Sequence, residues 1–318
     1  MVEKVLVHEA NAFSYNDPSG ISVRTILDSI AEAFQGMGYQ ITRWQSQTSN
    51  YPLSIKFKYA IFWGGTQSWF PPVKMNCIDH GTEILYAEVD DFGRYWEEGK
   101  GDDMPFILCR SLSPFAPNIG GVGGSRVMGT EFPSNGEDVS VRDGDLLVIL
   151  QHEKNLKLHR DVCPIYRDST EWLKDLVNCS VLPIRVRKHP SYKILQSTWD
   201  IINQYPNARW DDIDDLDESM GQATALACID SHCGVRAIKE GIPVLTYGMA
   251  VYRHPGVSWR CVGWEDTVKY TNRLRRKKCD LDRGAMREFI GYLERNTWKL
   301  SDLPERLERF LGGETFVP

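Results

Sequence analysis

Short apolar runs that recur between amphipathic stretches constrain this chain more than any other feature of its sequence. Val5-Leu6-Val7 is such a run. Ile21 to Phe34 follows it with apolar residues at helical spacing (Val23, Ile26, Leu27, Ile30, Phe34), and Gly36 and Gly38 end that helix. Tyr39–Trp44, Tyr59–Trp63 and Glu83–Val89 read as further strands. The pattern resumes with strands at Asp145–Gln151, Leu182–Val186, Ala225–Ile229 and Pro243–Tyr247. Helical stretches fall at Thr170–Val177, Tyr192–Asn203, His232–Glu240, Trp264–Arg276, Arg283–Asn296 and Leu303–Leu311. Strands that are apolar on both faces and alternate with helices call for parallel sheets covered on both sides. A length of 318 residues accommodates two such sheets. The expected division is 1–150, 151–300, and a terminal helix within 301–318 that can cross back to the first domain.

Composition removes several function classes. Lys and Arg total 37 against 43 Asp and Glu, a net charge of −6, which argues against attachment to nucleic acid by bulk charge. No apolar run reaches membrane-spanning length, and MVEKVLVHEA lacks the order of a signal peptide, so a cytoplasmic protein with no integral membrane association is expected. The eight cysteines form no Cys-x-x-Cys pair, so no metal site is expected from them. Ten tryptophans tilt the balance toward carbohydrate, because aromatic rings stack on sugar faces, although most serve to fill cores. Residues 93–145 carry Gly, Pro and charged clusters and read as loops and short strands. Gly120-Gly121-Val122-Gly123-Gly124 is not a phosphate-binding Walker loop, since no Gly-Lys-Ser/Thr follows.

Two segments carry chemistry. In Ala225–Gly248 a strand ends at Asp230-Ser231, a helix begins, and Gly241-Ile242-Pro243-Val244 returns the chain to the sheet. A helix start at the carboxyl edge of a parallel sheet is suited to anions, and Ser231 can cap it and donate to a phosphate oxygen. The plain reading of Ser231 is a helix cap alone. The second segment, Arg187-Lys188-His189-Pro190, follows a buried strand. There Lys188 offers a point charge and His189 a hydrogen bond. Singly this is a surface loop; together the two segments leave one sheet edge.

The pairing of a Lys-x-HP-like turn with Ser-x-x-Gly-x-x-Ala-x-x-x-Gly-x-Pro-Val resembles the bacterial capsule-polysaccharide glycosyltransferases, including the Kdo-transferring and polysialic-acid-synthesising families. The resemblance spans residues 145–255, and the N-terminal half only by its βαβ order. It implies a GT-B fold, two Rossmann-like parallel-sheet domains facing across a cleft, with the donor nucleotide held by Lys188, His189 and Ser231 beside Arg187. Two positions depart from the family pattern. His232 replaces a second Ser or Thr, and Arg236 replaces a Glu that can accept from a ribose hydroxyl. Arg236 is then either a further phosphate contact or a sign that the nucleotide sits differently.

The implied activity is transfer of a sugar from a nucleotide-sugar donor, a co-substrate, to a hydroxyl of a polymeric acceptor, without a metal or other cofactor. The spellings Asp212-Ile213-Asp214 and Asp215-Leu216-Asp217 match the metal motif of the rival architecture, but no apolar strand precedes them, so they read as a solvated acidic loop. The base that deprotonates the acceptor is expected at the end of strand 83–89. Asp91 is preferred and Asp90 second, with Asp17 and His80 in reserve, and the plain reading is a pair of turn caps. The acceptor is a glycan or a hydroxymethylated base in DNA, as in phage enzymes. The basic run Asn272–Lys278, with Arg185 and Arg187, can hold a phosphate backbone or form a solvated helix face. A sugar-nucleotide epimerase and a non-catalytic nucleotide-sugar-binding module of the same fold are the alternatives.

Overall fold

The computed structural model describes residues 2–8, 23–44, 55–63, 76–89, 106–110, 131–151, 163, 165–189, 194–248 and 250–312. Two compact units emerge, Met1–Met128 with Tyr292–Pro318, and Gly129–Gly291. The strands are β1 (Lys4–His8), β2 (Gln40–Trp44), β3 (Tyr59–Trp63), β4 (Glu83–Val89), β5 (Phe106–Arg110), β6 (Asp145–Ile149), β7 (Ile184–Arg187), β8 (Ala208–Trp210), β9 (Ala223–Cys228), β10 (Val244–Thr246) and β11 (Trp259–Arg260). The helices are α1 (Val23–Gly36), α2 (Ser169–Cys179), α3 (Gln196–Gln204), α4 (Leu216–Gly221), α5 (Cys233–Lys239), α6 (Trp264–Arg275), α7 (Arg283–Asn296) and α8 (Leu303–Leu311).

The first unit holds a five-stranded sheet of order β2-β1-β3-β4-β5. Strand side chains alternate between faces, and both faces are apolar here. Val5 and Val7 join Ile61, Leu85 and Ala87 against α1 and α8, while Leu6 joins Ala60, Phe62, Ile84 and Tyr86 in the opposite cluster. That two-sided burial is why β1, β3 and β4 read as unbroken apolar runs. The sheet departs from the all-parallel expectation at one edge, where β5 runs antiparallel to β4.

In the second unit six parallel strands run β11-β10-β9-β6-β7-β8. Counted from β6, the spatial order is third, second, first, fourth, fifth, sixth, the Rossmann arrangement. Every residue of β6 and β9 is buried, as central strands require. Because β6 is the first strand of this sheet, the second unit begins upstream of the 150/151 division expected from the sequence. Helix α2 packs on α3 and α6, and its start is fixed by Asp168, whose carboxylate accepts the Glu171 N–H at 2.8 Å.

Candidate functional site

A Rossmann sheet opens a crevice where the strand order reverses, beyond the carboxyl ends of its first and fourth strands. Here those strands are β6 and β9. Gln151 follows β6 and Asp230-Ser231 follow β9, and the Gln151 Oε1 accepts the Asp230 N–H at 3.3 Å. The Gln151 carbonyl also accepts the Ser169 hydroxyl at 3.4 Å, tying this strand end to the start of α2.

The turn after β9 is built tightly. The Ser231 carbonyl accepts the Gly234 N–H at 2.9 Å and the Tyr252 hydroxyl at 2.8 Å. The Ser231 Oγ accepts the Cys233 N–H at 3.3 Å. His232, in α-helical conformation, occupies the cap position with no side-chain cap bond, and its carbonyl accepts the Val235 and Arg236 N–H groups. Ser231 therefore caps from one residue further out than expected. The N–H groups of residues 233 to 236 already have local acceptors, so this helix start is less open than the sequence implied. A hydroxyl that accepts from Cys233 still has its own proton to donate.

Tyr252 is the main feature that sequence reasoning missed. Its side chain is buried, and its hydroxyl also lies 3.0 Å from the Cys228 Sγ. A Cβ at Gly234 would come within 2.3 Å of the tyrosine ring, so glycine is required there by close approach. The glycine of Ser-x-x-Gly was the available signal. What it made room for lay 18 residues downstream.

The β7 end behaves differently. Arg187 donates to Asp211 Oδ2 at 2.5 Å and to the carbonyls of Ile213 and Asp214 at 2.6 and 2.5 Å. Lys188 places its ammonium 4.5 Å from the Trp199 ring centroid and 4.9 Å from that of Trp210, a cation–π seat. Trp210 belongs to β8, on the side of β7 away from β6, so Lys188 leans away from the crevice. His189 is half-buried just beyond. Of this group, Arg187 is the one whose charge reaches the start of α5. Burial pushes the Cys233 thiol up, while the Ser231 hydrogen bond and the charges of Arg236 and Arg187 pull against it. Arg236 itself donates to Asp217.

Beneath lies a buried ionic cluster. Arg185, with a side chain 1% exposed, donates to Asp145 at 3.0 and 3.2 Å, to Asp211 and the Ser219 hydroxyl at 3.1 Å each, and to the Ser219 carbonyl at 2.7 Å. Burial pushes the Asp211 carboxyl up, but hydrogen bonds from Arg187 and Ser219 and the two guanidinium charges outweigh it and hold the group below its ordinary value. Arg185 thus cannot serve a phosphate backbone, contrary to one sequence reading: its inward face is saturated. The four aspartates of the acidic spellings are exposed, as the sequence suggested, and two of their carboxylates also serve the fold. Asp215 caps α4 through the Glu218 N–H at 2.8 Å, and Asp217 pairs with Arg236. Among the described residues no group of three or more His, Cys, Asp or Glu side chains is placed to hold a metal ion.

The basic run ends α6, with Arg275, Arg276, Lys277 and Lys278 exposed. Lys277 pairs with Asp143, two residues before β6, at the amino edge of the sheet and opposite the crevice. In the first unit, β4 is described to Val89; Asp90 and Asp91, with Asp17, lie outside the described residues. His80 is exposed and donates through Nδ1 to the Asn76 carbonyl at 2.8 Å. No helix among the described residues is long and apolar enough to cross a membrane.

Comparison with known proteins places the same region in context. The family described as capsule polysaccharide biosynthesis protein matches residues 145–281, less than half of the chain. No curated protein matches. Among solved structures, a β-Kdo 2,7 transferase, KpsC of Thermosulfurimonas dismutans, aligns over 97% of this chain and 99% of its own, with 12% identity and a TM-score of 0.52. A β-Kdo 2,4 transferase, also KpsC of that organism, aligns over 96% and 98% with 11% identity and a TM-score of 0.48. Staphylococcus aureus MnaA with UDP aligns over 98% and 97%, with 10% identity and a TM-score of 0.39. Two predominantly parallel sheets flanked by helices, the second in Rossmann order, together with the β-Kdo 2,7 transferase likeness, establish a GT-B-like fold of two Rossmann-like domains.

Proposed function

We propose that the chain is a nucleotide-sugar-dependent glycosyltransferase whose second unit holds the donor. The observation that carries this is the meeting of Gln151 and Asp230-Ser231 at the strand-order reversal, inside the stretch that matches the capsule family. The donor's phosphate lies beside the Ser231 hydroxyl, with His189 and His232 at its flanks and Arg187 and Arg236, each paired with a carboxylate, contributing charge nearby. A carboxylate of the first unit, Asp91 in preference to Asp90, takes the acceptor hydroxyl's proton. The oxygen bonds to the anomeric carbon as the bond to the phosphate oxygen breaks, and the negative charge leaves with the nucleotide. Neutral donors and nearby guanidinium groups stabilise that charge without a metal.

Of the two acceptors, the glycan is favoured. Arg185 and Arg187 are engaged internally, and the basic turn sits at the far edge of the sheet, about 17 Å away for a five-residue strand. The test is incubation with a panel of nucleotide sugars and candidate acceptors, with and without chelator. Release of free nucleotide that rises with a glycan acceptor and survives chelation is expected. Interconversion of the donor sugar with no transfer would indicate an epimerase, and binding without turnover a binding module. Separate Asp91→Asn and Asp90→Asn variants locate the base. The correct one lowers turnover by roughly two to four orders of magnitude with donor affinity nearly intact. Two variants at parental rate would remove both residues from that role.

A further inference from the structure

Gln151 has a feature that a purely structural residue in this crevice would not need. Its carboxamide oxygen is oriented by a group that can only donate, the Asp230 N–H, at 3.3 Å. The oxygen must therefore face the β9 turn, which settles the amide orientation. The Nε2 end carries two N–H donors, and among the described residues it has no hydrogen-bond partner. Gln151 is only half-buried, and its main chain is pinned to Ser169 at the start of α2. It stands at the end of β6, one of the two strands that bound the crevice, while Ser231, the residue after Asp230, offers a hydroxyl proton from the other. Two neutral donors thus flank the reversal point, one from each strand. The nearby cations Arg187 and Arg236 are already matched to Asp211 and Asp217.

We infer that Gln151 is a ligand-contacting residue: its Nε2–H donates to a phosphate oxygen of the bound nucleotide, while its Oε1 holds the β9 turn in place. This rests on the donor-binding reading of the second unit and adds to it a named contact and a specificity. A phosphate oxygen can only accept, so a residue that offers an acceptor in place of the amide would repel it.

Two substitutions separate the two ends of the side chain. Gln151→Glu keeps an oxygen for the Asp230 N–H and removes the donor. Gln151→Leu removes both. Each is titrated calorimetrically in the full chain with CMP and with UDP, and thermal unfolding is recorded alongside. If Gln151 touches phosphate, Gln151→Glu loses about tenfold or more in affinity for whichever nucleotide the parent binds while its unfolding midpoint stays near the parent's. Gln151→Leu loses affinity as well and also unfolds at lower temperature. If Gln151 only braces the turn, any loss in Gln151→Glu comes from the new charge acting at a distance and vanishes at high salt, where the variant binds like the parent and Gln151→Leu alone is weakened; that overturns the contact but leaves the donor-binding reading standing. A parent chain that binds neither nucleotide overturns both.

Discussion

The ends of β7 and β9 leave the same edge of one sheet, yet they use their polar residues in opposite ways. β7 and the residue after it are dense in charge, and the fold engages most of it: Arg185 and Arg187 on Asp145, Asp211 and the carbonyls of Ile213 and Asp214, and Lys188 over two indole rings. After β9 there is little charge, but the turn is held from two sides by neutral groups, Gln151 and Tyr252, and keeps a hydroxyl proton to give. Charge written in a sequence is not charge available to a ligand. Availability depends on what the neighbouring elements bring, and for β7 they bring carboxylates.

The largest effect expected from this contrast is on stability. Arg185→Ala takes the shared guanidinium from between buried Asp145 and Asp211, leaving them only Arg209 and Arg187, and should cost about 3–5 kcal/mol, read by urea unfolding. A loss under about 1 kcal/mol would mean the cluster is solvated and Arg185 is available after all. The same cluster sets an acid dependence. Asp211 is held below its ordinary value in the folded chain, so its contribution is fully present above the unfolded carboxylate value near 4 and disappears as pH falls further. Asp211→Asn should flatten the stability profile below about pH 4, and an unchanged slope there would assign the acid sensitivity to other groups.

At the β9 turn, Ser231→Ala should weaken nucleotide binding by about 1.5–3 kcal/mol, the range for a hydrogen bond to a charged group, and lower stability by about 1 kcal/mol through the lost cap on the Cys233 N–H. Gly234→Ala forces a methyl group to within 2.3 Å of the Tyr252 ring and should destabilise by about 1–3 kcal/mol. Pairing it with Tyr252→Ala should recover part of that loss in a double-mutant cycle, and strict additivity would show that the two side chains do not meet. Smallest of all, Lys188→Ala should change nucleotide affinity by less than about 1 kcal/mol, because its ammonium is seated over Trp199 and Trp210. An effect as large as that of Ser231→Ala would return Lys188 to the site.

Much of the fold was legible because burial on both faces writes itself as short apolar runs. β1, β3, β4, β6, β9 and β10, and the helices from α5 to α8, fall close to where periodicity put them. The strands that escaped notice lack that signature. β8 is three partly exposed residues at an edge, β11 only two, and β5 lies in a stretch read as loops and short strands, whose Gly, Pro and charge left its bounds unplaced. The site was legible only in part, for a related reason. Ser231 sits in a local motif that a sequence displays, and so do Lys188 and His189. Gln151 meets Asp230 across 79 residues and Tyr252 meets Ser231 across 21, so neither role shows in the neighbouring sequence. Conversely, the partners that draw Arg187 and Lys188 aside, Asp211 and the two tryptophans, are brought up by α3, β8 and the acidic loop, which no spacing rule connects to the turn after β7.

Amide hydrogen exchange across the full chain, with and without saturating nucleotide, addresses the location of the donor most directly. Binding at the strand-order reversal should slow exchange in residues 150–151 and 229–236, with little change at Trp199 and Trp210. Protection concentrated on the β7–β8 side, or confined to the first unit, would contradict a donor seated between the ends of β6 and β9.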